Sequence, residues 1–197
     1  MSETNQQQPG GGEEHEQERL GAPRIYVASL SDYNAGRLHG AWLDADQDGE
    51  EMLAGIRTML AASREPGAEE WAIHDFEGFG TLRLSEYEDI NFVATVGQGI
   101  AEHGLAFAAW ASYLGSHTAE DLEGFEDAYR GRWESPTAYA EEFLTDIGMV
   151  DEIERVVPDS MQQYVHIDFQ AWANDVVMSG GLVEVDDGEG GVFLFSP

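Results

Sequence analysis

The chain has 197 residues, 39 of them acidic and 9 basic, for a net charge of −30, and every basic residue is Arg. A polyanion of this size argues against nucleic acid as a direct partner and favours basic protein surfaces, cations or solubility alone. With no cysteine there is no disulfide framework, thiol nucleophile or Cys-ligated zinc, and no apolar run approaches the roughly 18 to 20 residues of a membrane span.

The hydrophobic fraction of 42 %, with five Trp, seven Tyr and nine Phe, is enough to bury a core. The absence of cysteine and of a signal pattern at the start leads us to expect a cytoplasmic protein. Residues 1–22 are rich in Gln, Gly and Glu without hydrophobic periodicity and are expected to be a disordered acidic tail.

From Pro23 the pattern changes. RIYVASL reads as a strand, SDYNAG as a turn and RLHGAWLDA as a second strand, forming a hairpin with a longer loop. Asp48 caps a helix expected from Gly49 to Ser63, with Met52, Ile56, Met59 and Leu60 as its apolar stripe, and EEWAIHDF reads as a third strand. Residues 23–82 thus form a small α+β unit. Residues 83–127 read as helical: LAFAAWASYL is about ten residues long and suits a buried helix of a small bundle, followed by a helix near Ala119 to Ala128. Residues 128–197 are again α+β, with a connection over Met149 to Pro158, a helix around Asp168 to Met178, and strands near Leu182 to Val185 and Val192 to Phe195. The fold class expected is therefore α+β, an array of three small domains.

The most informative stretch is SPTAYAEEFLTDIGMVDEIE, Ser135 to Glu154. Ser135 can cap a helix, Pro136 suits its first position and Gly148 allows a left-handed exit. At about 100° per residue, Tyr139, Ala140, Phe143, Leu144 and Ile147 share one side, and Glu141, Glu142 and Asp146 the other. Like charges at i and i+4, here Glu142 and Asp146, cost about 0.2 to 0.5 kcal/mol. No cation between Glu134 and Glu154 relieves them.

Other candidate sites have plainer readings. Asp44, Asp46, Asp48 and Gly49 match positions 1, 3, 5 and 6 of an EF-hand loop, but the twelfth is Gly55 rather than a bidentate Glu. His74-Asp75 and His166-x-Asp168 could suggest acid–base chemistry, yet no nucleophile or metal-ligand set accompanies them. Without Lys no phosphate loop can be completed. We expect no catalytic residues, no metal and no cofactor.

RIYVASLSDYNAGRLHGAWLD, EEWAIHDFEGF, YAEEFLTDIG and YVHIDFQAWANDVVMSG, in this order, resemble the ArdA antirestriction proteins over roughly Pro23 to Pro197. The resemblance implies a three-domain, elongated, curved DNA mimic. Such a protein occupies the DNA-binding groove of type I restriction-modification enzymes, blocks cleavage and often modification, and dimerises through its C-terminal domain, here from about Tyr129. It makes a methyltransferase core the partner. The carboxylates expected on the mimic surface are Glu123, Glu126, Asp127, Glu134, Glu141, Glu142, Asp146, Asp151, Glu152 and Glu154. The tail of residues 1–22 lies outside the family pattern, and the DADQDGE loop is more acidic than it requires.

Charge density agrees with this reading. Five acids and one Arg lie in the tail, leaving a net of −26 on the rest of the chain and −52 on a dimer. Duplex DNA carries one charge per about 1.7 Å, so this equals roughly 26 base pairs, or about 90 Å of duplex. Three small domains in a row can spread the charge so far. The alternatives are surface adaptation to salt, an acidic protein-binding or calcium-binding module, and an enzyme using His74 or His166.

Overall fold

The structure, a computed structural model, describes residues 21–115 and 117–197, so the expected tail falls outside the described residues except for Gly21 and Ala22. In the N-terminal segment, strands β1 (Arg24–Ser29), β2 (Gly40–Asp44) and β3 (Trp71–Glu77) form an antiparallel sheet in the order β2-β1-β3. Ile25 and Val27 of the central strand are fully buried. Alternation along β1 puts them on one face of the sheet, while Tyr26 on the other packs on Trp42 of β2 with ring centroids 5.5 Å apart. Helix α2 (Gly49–Ala61) buries Met52, Ile56 and Met59, and its first turn is capped by Asp48, whose carboxylate accepts the Glu51 N–H at 2.8 Å.

The expected turn SDYNAG contains a short helix, α1 (Leu30–Asn34), because Ser29 Oγ accepts the Asp32 N–H and starts a helical turn. Asp32 itself is buried and holds this corner together through Ser63 and Arg37, the latter also paired with Glu65. The Ser63 hydroxyl foremost, then Ser29 and Arg37, outweigh burial and hold its carboxyl below the usual value. A depressed native pKa contributes stability that is present above the unfolded value of about 3.9 and is lost as pH falls through the native value. Asp32→Asn is expected to lower Tm at pH 7 and to flatten the acid limb of the Tm profile below about pH 4. Thermal melts from pH 7 to pH 2 check this; an unchanged acid limb would remove Asp32 from the account.

In the middle segment Leu84 to Asp89 is not helical. Helix α3 (Ile90–His103) begins only where the Asp89 carboxylate accepts the Asn91 and Phe92 N–H groups. Helix α4 (Leu105–Leu114) follows a single corner residue, Gly104, and buries Ala106 to Ala111, as its apolar run requires. The helix expected over Ala119 to Ala128 is split by Gly124 into a 3-10 turn, Glu120–Leu122, and helix α5, Phe125–Ala128.

The C-terminal segment contains two elements that the sequence reading did not anticipate. The first is strand β4 (Tyr129–Trp133), a five-residue stretch with Gly131 at its centre whose pairing partner lies about sixty residues away. With β5 (Val183–Asp186) and β6 (Val192–Phe195) it forms an antiparallel sheet in the order β4-β6-β5. The second is α7 (Met149–Val156), where a connection was expected. Gly148, at φ +76°, ends α6 (Pro136–Asp146), and a new helix begins at once, although none of its residues is buried. Helix α8 (Phe169–Met178) packs against α6, and the rings of Trp133, Tyr139, Phe143 and Trp172 form a continuous ladder with centroids 5.3 to 5.7 Å apart.

Among the described residues the fold is α+β, with eight α-helices and two small antiparallel sheets. The α3–α4 pair contacts α2 on one side and β5 and β6 on the other. Trp110 of α4 lies 5.2 Å from Phe195 of β6, and one core cluster runs from Ile25 to Phe195. No helix among the described residues is long and apolar enough to cross a membrane.

Candidate functional site

All ten carboxylates expected on the mimic surface are exposed. Glu123, Glu126 and Asp127 lie on and just before α5, Glu134 between β4 and α6, Glu141, Glu142 and Asp146 on α6, and Asp151, Glu152 and Glu154 on α7. The local sequence produces this directly. Ser135 accepts the Ala138 N–H at 3.2 Å and Pro136 opens α6, whose buried residues Ala140 and Leu144 define the packed side. Helical periodicity then leaves Glu141, Glu142 and Asp146 outside. Extension of the helical path through α7 carries the charged run on to Glu154.

The arginines bear on which of these charges are free. Arg155 forks onto Glu152, with its Nη2 at 2.5 Å from Oε1, three residues along α7. Arg130 donates to the backbone carbonyls of Asp127 and Tyr129 rather than to a carboxylate. Arg132 bridges Asp187 and Glu189 at 2.6 Å each. Burial pushes the Asp187 carboxyl up, but the Glu189 and Gly191 N–H groups and Arg132 outweigh it and hold the carboxyl below its usual value. Arg24 pairs with Glu77, and Arg37 with Asp32 and Glu65. Of the ten surface carboxylates, only Glu152 has an arginine within ion-pair distance among the described residues.

One grouping had no signal in the linear sequence. The α3–α4 corner brings Glu102 beside Glu123, Glu126 and Asp127, and the four border a hollow of about 340 Å³. About twenty residues separate Glu102 from the others, and nothing in either stretch marks them as neighbours.

The rival sites can be followed in the same way. Asp48 is committed to its helix cap and Asp46 stands in solvent, and among the described residues no group of three or more His, Asp or Glu is placed to hold a metal ion. Asp168 caps α8 by accepting the Ala171 N–H, and Asp75 accepts the Phe76 N–H. His74 packs edge-on against Tyr33.

The family described as Antirestriction protein (ArdA) has a model that matches residues 25–189. The chain belongs to the ArdA family. The match extends from β1 to the β5–β6 turn, so it takes in the N-terminal sheet, the α3–α4 pair, β4 and β5 of the second sheet and every carboxylate considered above, and stops before β6. This ArdA chain is accordingly an antirestriction protein. No curated protein matches the chain.

Proposed function

We propose that this ArdA protein inhibits type I restriction-modification enzymes by presenting carboxylates where DNA would present phosphates, with no bond made or broken. It occupies the DNA-binding groove of the methyltransferase core and blocks restriction and, with it, modification. The observation that carries this reading is the set of ten exposed carboxylates between Glu123 and Glu154, of which only Glu152 has an arginine within ion-pair distance among the described residues. A restriction enzyme grips DNA largely through Lys and Arg contacts to phosphate, and carboxylates at similar spacing satisfy the same cations. The three segments 23–82, 83–127 and 128–197 stand in a row in this account, with α3 and α4 between the two sheets. A framework already shaped to the groove avoids the bending that costs DNA on the order of 1 to 6 kcal/mol.

The direct experiment is competition: a purified type I methyltransferase core on labelled DNA, titrated with the protein at several salt concentrations. Displacement that weakens as salt rises is expected. Inhibition independent of salt, or binding of the protein to the DNA itself, contradicts the reading.

The active form in this proposal is a homodimer joined through residues 128–197. Ile147, Met149, Val156, Tyr164 and Met178 are 43 to 86 % exposed. Large apolar side chains left in solvent mark an association surface where they meet in one patch, and a dimer through this segment would cover them. Ile147→Glu combined with Met178→Glu is expected to weaken the dimer by at least about tenfold, since two buried apolar side chains are worth more than 1.4 kcal/mol. Sedimentation velocity across a concentration series reads this, and an unchanged monomer–dimer profile places the interface elsewhere.

A further inference from the structure

We propose that the hollow where the N-terminal segment, the α3–α4 corner and the C-terminal sheet meet is a seat for the chain's own Arg19 and Leu20. The hollow holds about 630 Å³. Gly21, Pro23 and Asp46 wall it on one side, Leu105 at the corner, and Tyr129 and Arg132 of β4 on the other.

The described chain enters along this wall. The Ala45 N–H donates to the Pro23 carbonyl at 2.7 Å, and a Cβ on Gly78 would stand 2.8 Å from both the Gly21 oxygen and the Pro23 Cα. Residues 21–23 therefore lie directly against Gly78, which fixes where the chain meets the hollow. Consecutive Cα atoms are about 3.8 Å apart, so Leu20 follows within one step of the wall and Arg19 within about 8 Å of Gly21.

Residues 2–20 contain one large apolar side chain, Leu20, and one cation, Arg19, side by side at the end that meets the hollow. The lining offers a counterpart to each. Leu105 and Tyr129 are half-buried, and with Ile100 and Phe193, at 9 % and 8 % exposed, they give Leu20 an apolar wall that the core holds in place. Of the lining acids, Asp187 and Glu189 are both taken by Arg132, at 2.6 Å each. The Asp46 carboxylate has no partner among the described residues, which leaves it for Arg19. The glutamates that precede Arg19 are repelled by the same carboxylates, so no other part of residues 2–20 suits the hollow. Seated there, Arg19 and Leu20 touch all three segments at once and clip the first to the C-terminal sheet. The seat stands whether or not the chain mimics DNA.

The test uses the full chain, with Leu and Ile methyl groups and Phe rings labelled for NMR. NOEs from the Leu20 methyls to the Leu105 methyls and the Phe193 ring are expected. Asp46→Lys, at an exposed position, weakens them at least about threefold. Glu69→Lys makes the same change of charge at the other end of the N-terminal sheet, beside the Ser29–Trp71 pair, and leaves them unchanged. Leu20→Ser lowers Tm by about 2 to 6 °C, which loss of a side chain standing in solvent would not do.

Leu20 methyls at the positions they have in a free peptide of residues 13–22, with no NOE into the hollow and no change of Tm in Leu20→Ser, overturn the seat. NOEs found only between labelled and unlabelled chains in a mixed sample put a second copy's segment there and overturn it as well. Equal effects of Asp46→Lys and Glu69→Lys on the NOEs do the same.

Discussion

Replacing Glu134, Glu141, Glu142, Asp146, Asp151 and Glu154 together by their amides is expected to raise the concentration of protein needed for half-inhibition on the order of a hundredfold. All six are exposed, and none has an arginine of its own chain within ion-pair distance among the described residues. An exposed ion pair contributes about 0.2 to 1 kcal/mol, so six such contacts with a basic groove amount to roughly 1 to 6 kcal/mol, and about 2.7 kcal/mol is a factor of a hundred. The individual effects should be small: Glu142→Gln alone shifts half-inhibition by less than about fivefold. Glu152, already forked by Arg155, should matter least of the ten, and Arg155→Gln should strengthen inhibition slightly by releasing it. The variants are compared in the methyltransferase competition at fixed ionic strength, because screening changes every term. If one amide substitution abolished inhibition, the activity would depend on a single site and distributed mimicry would be the wrong account.

The largest expected effect on stability comes from Gly97→Ala. Gly97 lies in α3 where the helix crosses the end of β2, and an added Cβ would overlap the Ala45 carbonyl oxygen and stand 2.8 Å from the Ala45 Cβ. Both obstacles belong to a fully buried residue, and the first is backbone, so no rotamer change removes the overlap. Overpacking of this kind costs about 1 to 3 kcal/mol, and for a protein of this length each kcal/mol lowers Tm by about 2 to 4 °C. A fall of roughly 2 to 12 °C is expected in calorimetry. Gly99→Ala is the contrasting case: its added Cβ meets the ring of Phe107, including Cγ at 2.6 Å, and a side chain can move where a carbonyl cannot. The smaller loss expected at Gly99 distinguishes this explanation from a general intolerance of side chains in α3. Equal losses at the two positions would contradict it.

Local signals carried much of the secondary structure. The caps at Asp48 and Ser135, the apolar stripe of α2, the buried run of α4, the helix from about Asp168 and strands β1, β3, β5 and β6 were legible because each depends on residues within a few positions of one another. The exposure of Glu141, Glu142 and Asp146 was legible for the same reason, since helical periodicity assigns both faces of α6 at once. The family resemblance, too, rests on local motifs kept in order.

Strand β4 was not legible, because a five-residue strand with a central glycine is specified by its pairing with β6 rather than by its own pattern. Helix α7 was missed because it buries no residue and so lacks the packed stripe on which sequence reading depends, while α1 was read as a turn because the side chains that tie it down, Arg37 and Ser63, come from outside it. The pairing of Arg132 with Asp187 likewise spans 55 residues and awaits the C-terminal sheet. By itself, then, the sequence determined the sign and amount of charge, the helix α6 that carries Glu141, Glu142 and Asp146, and the family. Only the tertiary structure decided which charges are cancelled within the chain and which are brought together, as Glu102 is with Glu123, Glu126 and Asp127, because proximity between distant residues is set by packing and not by periodicity.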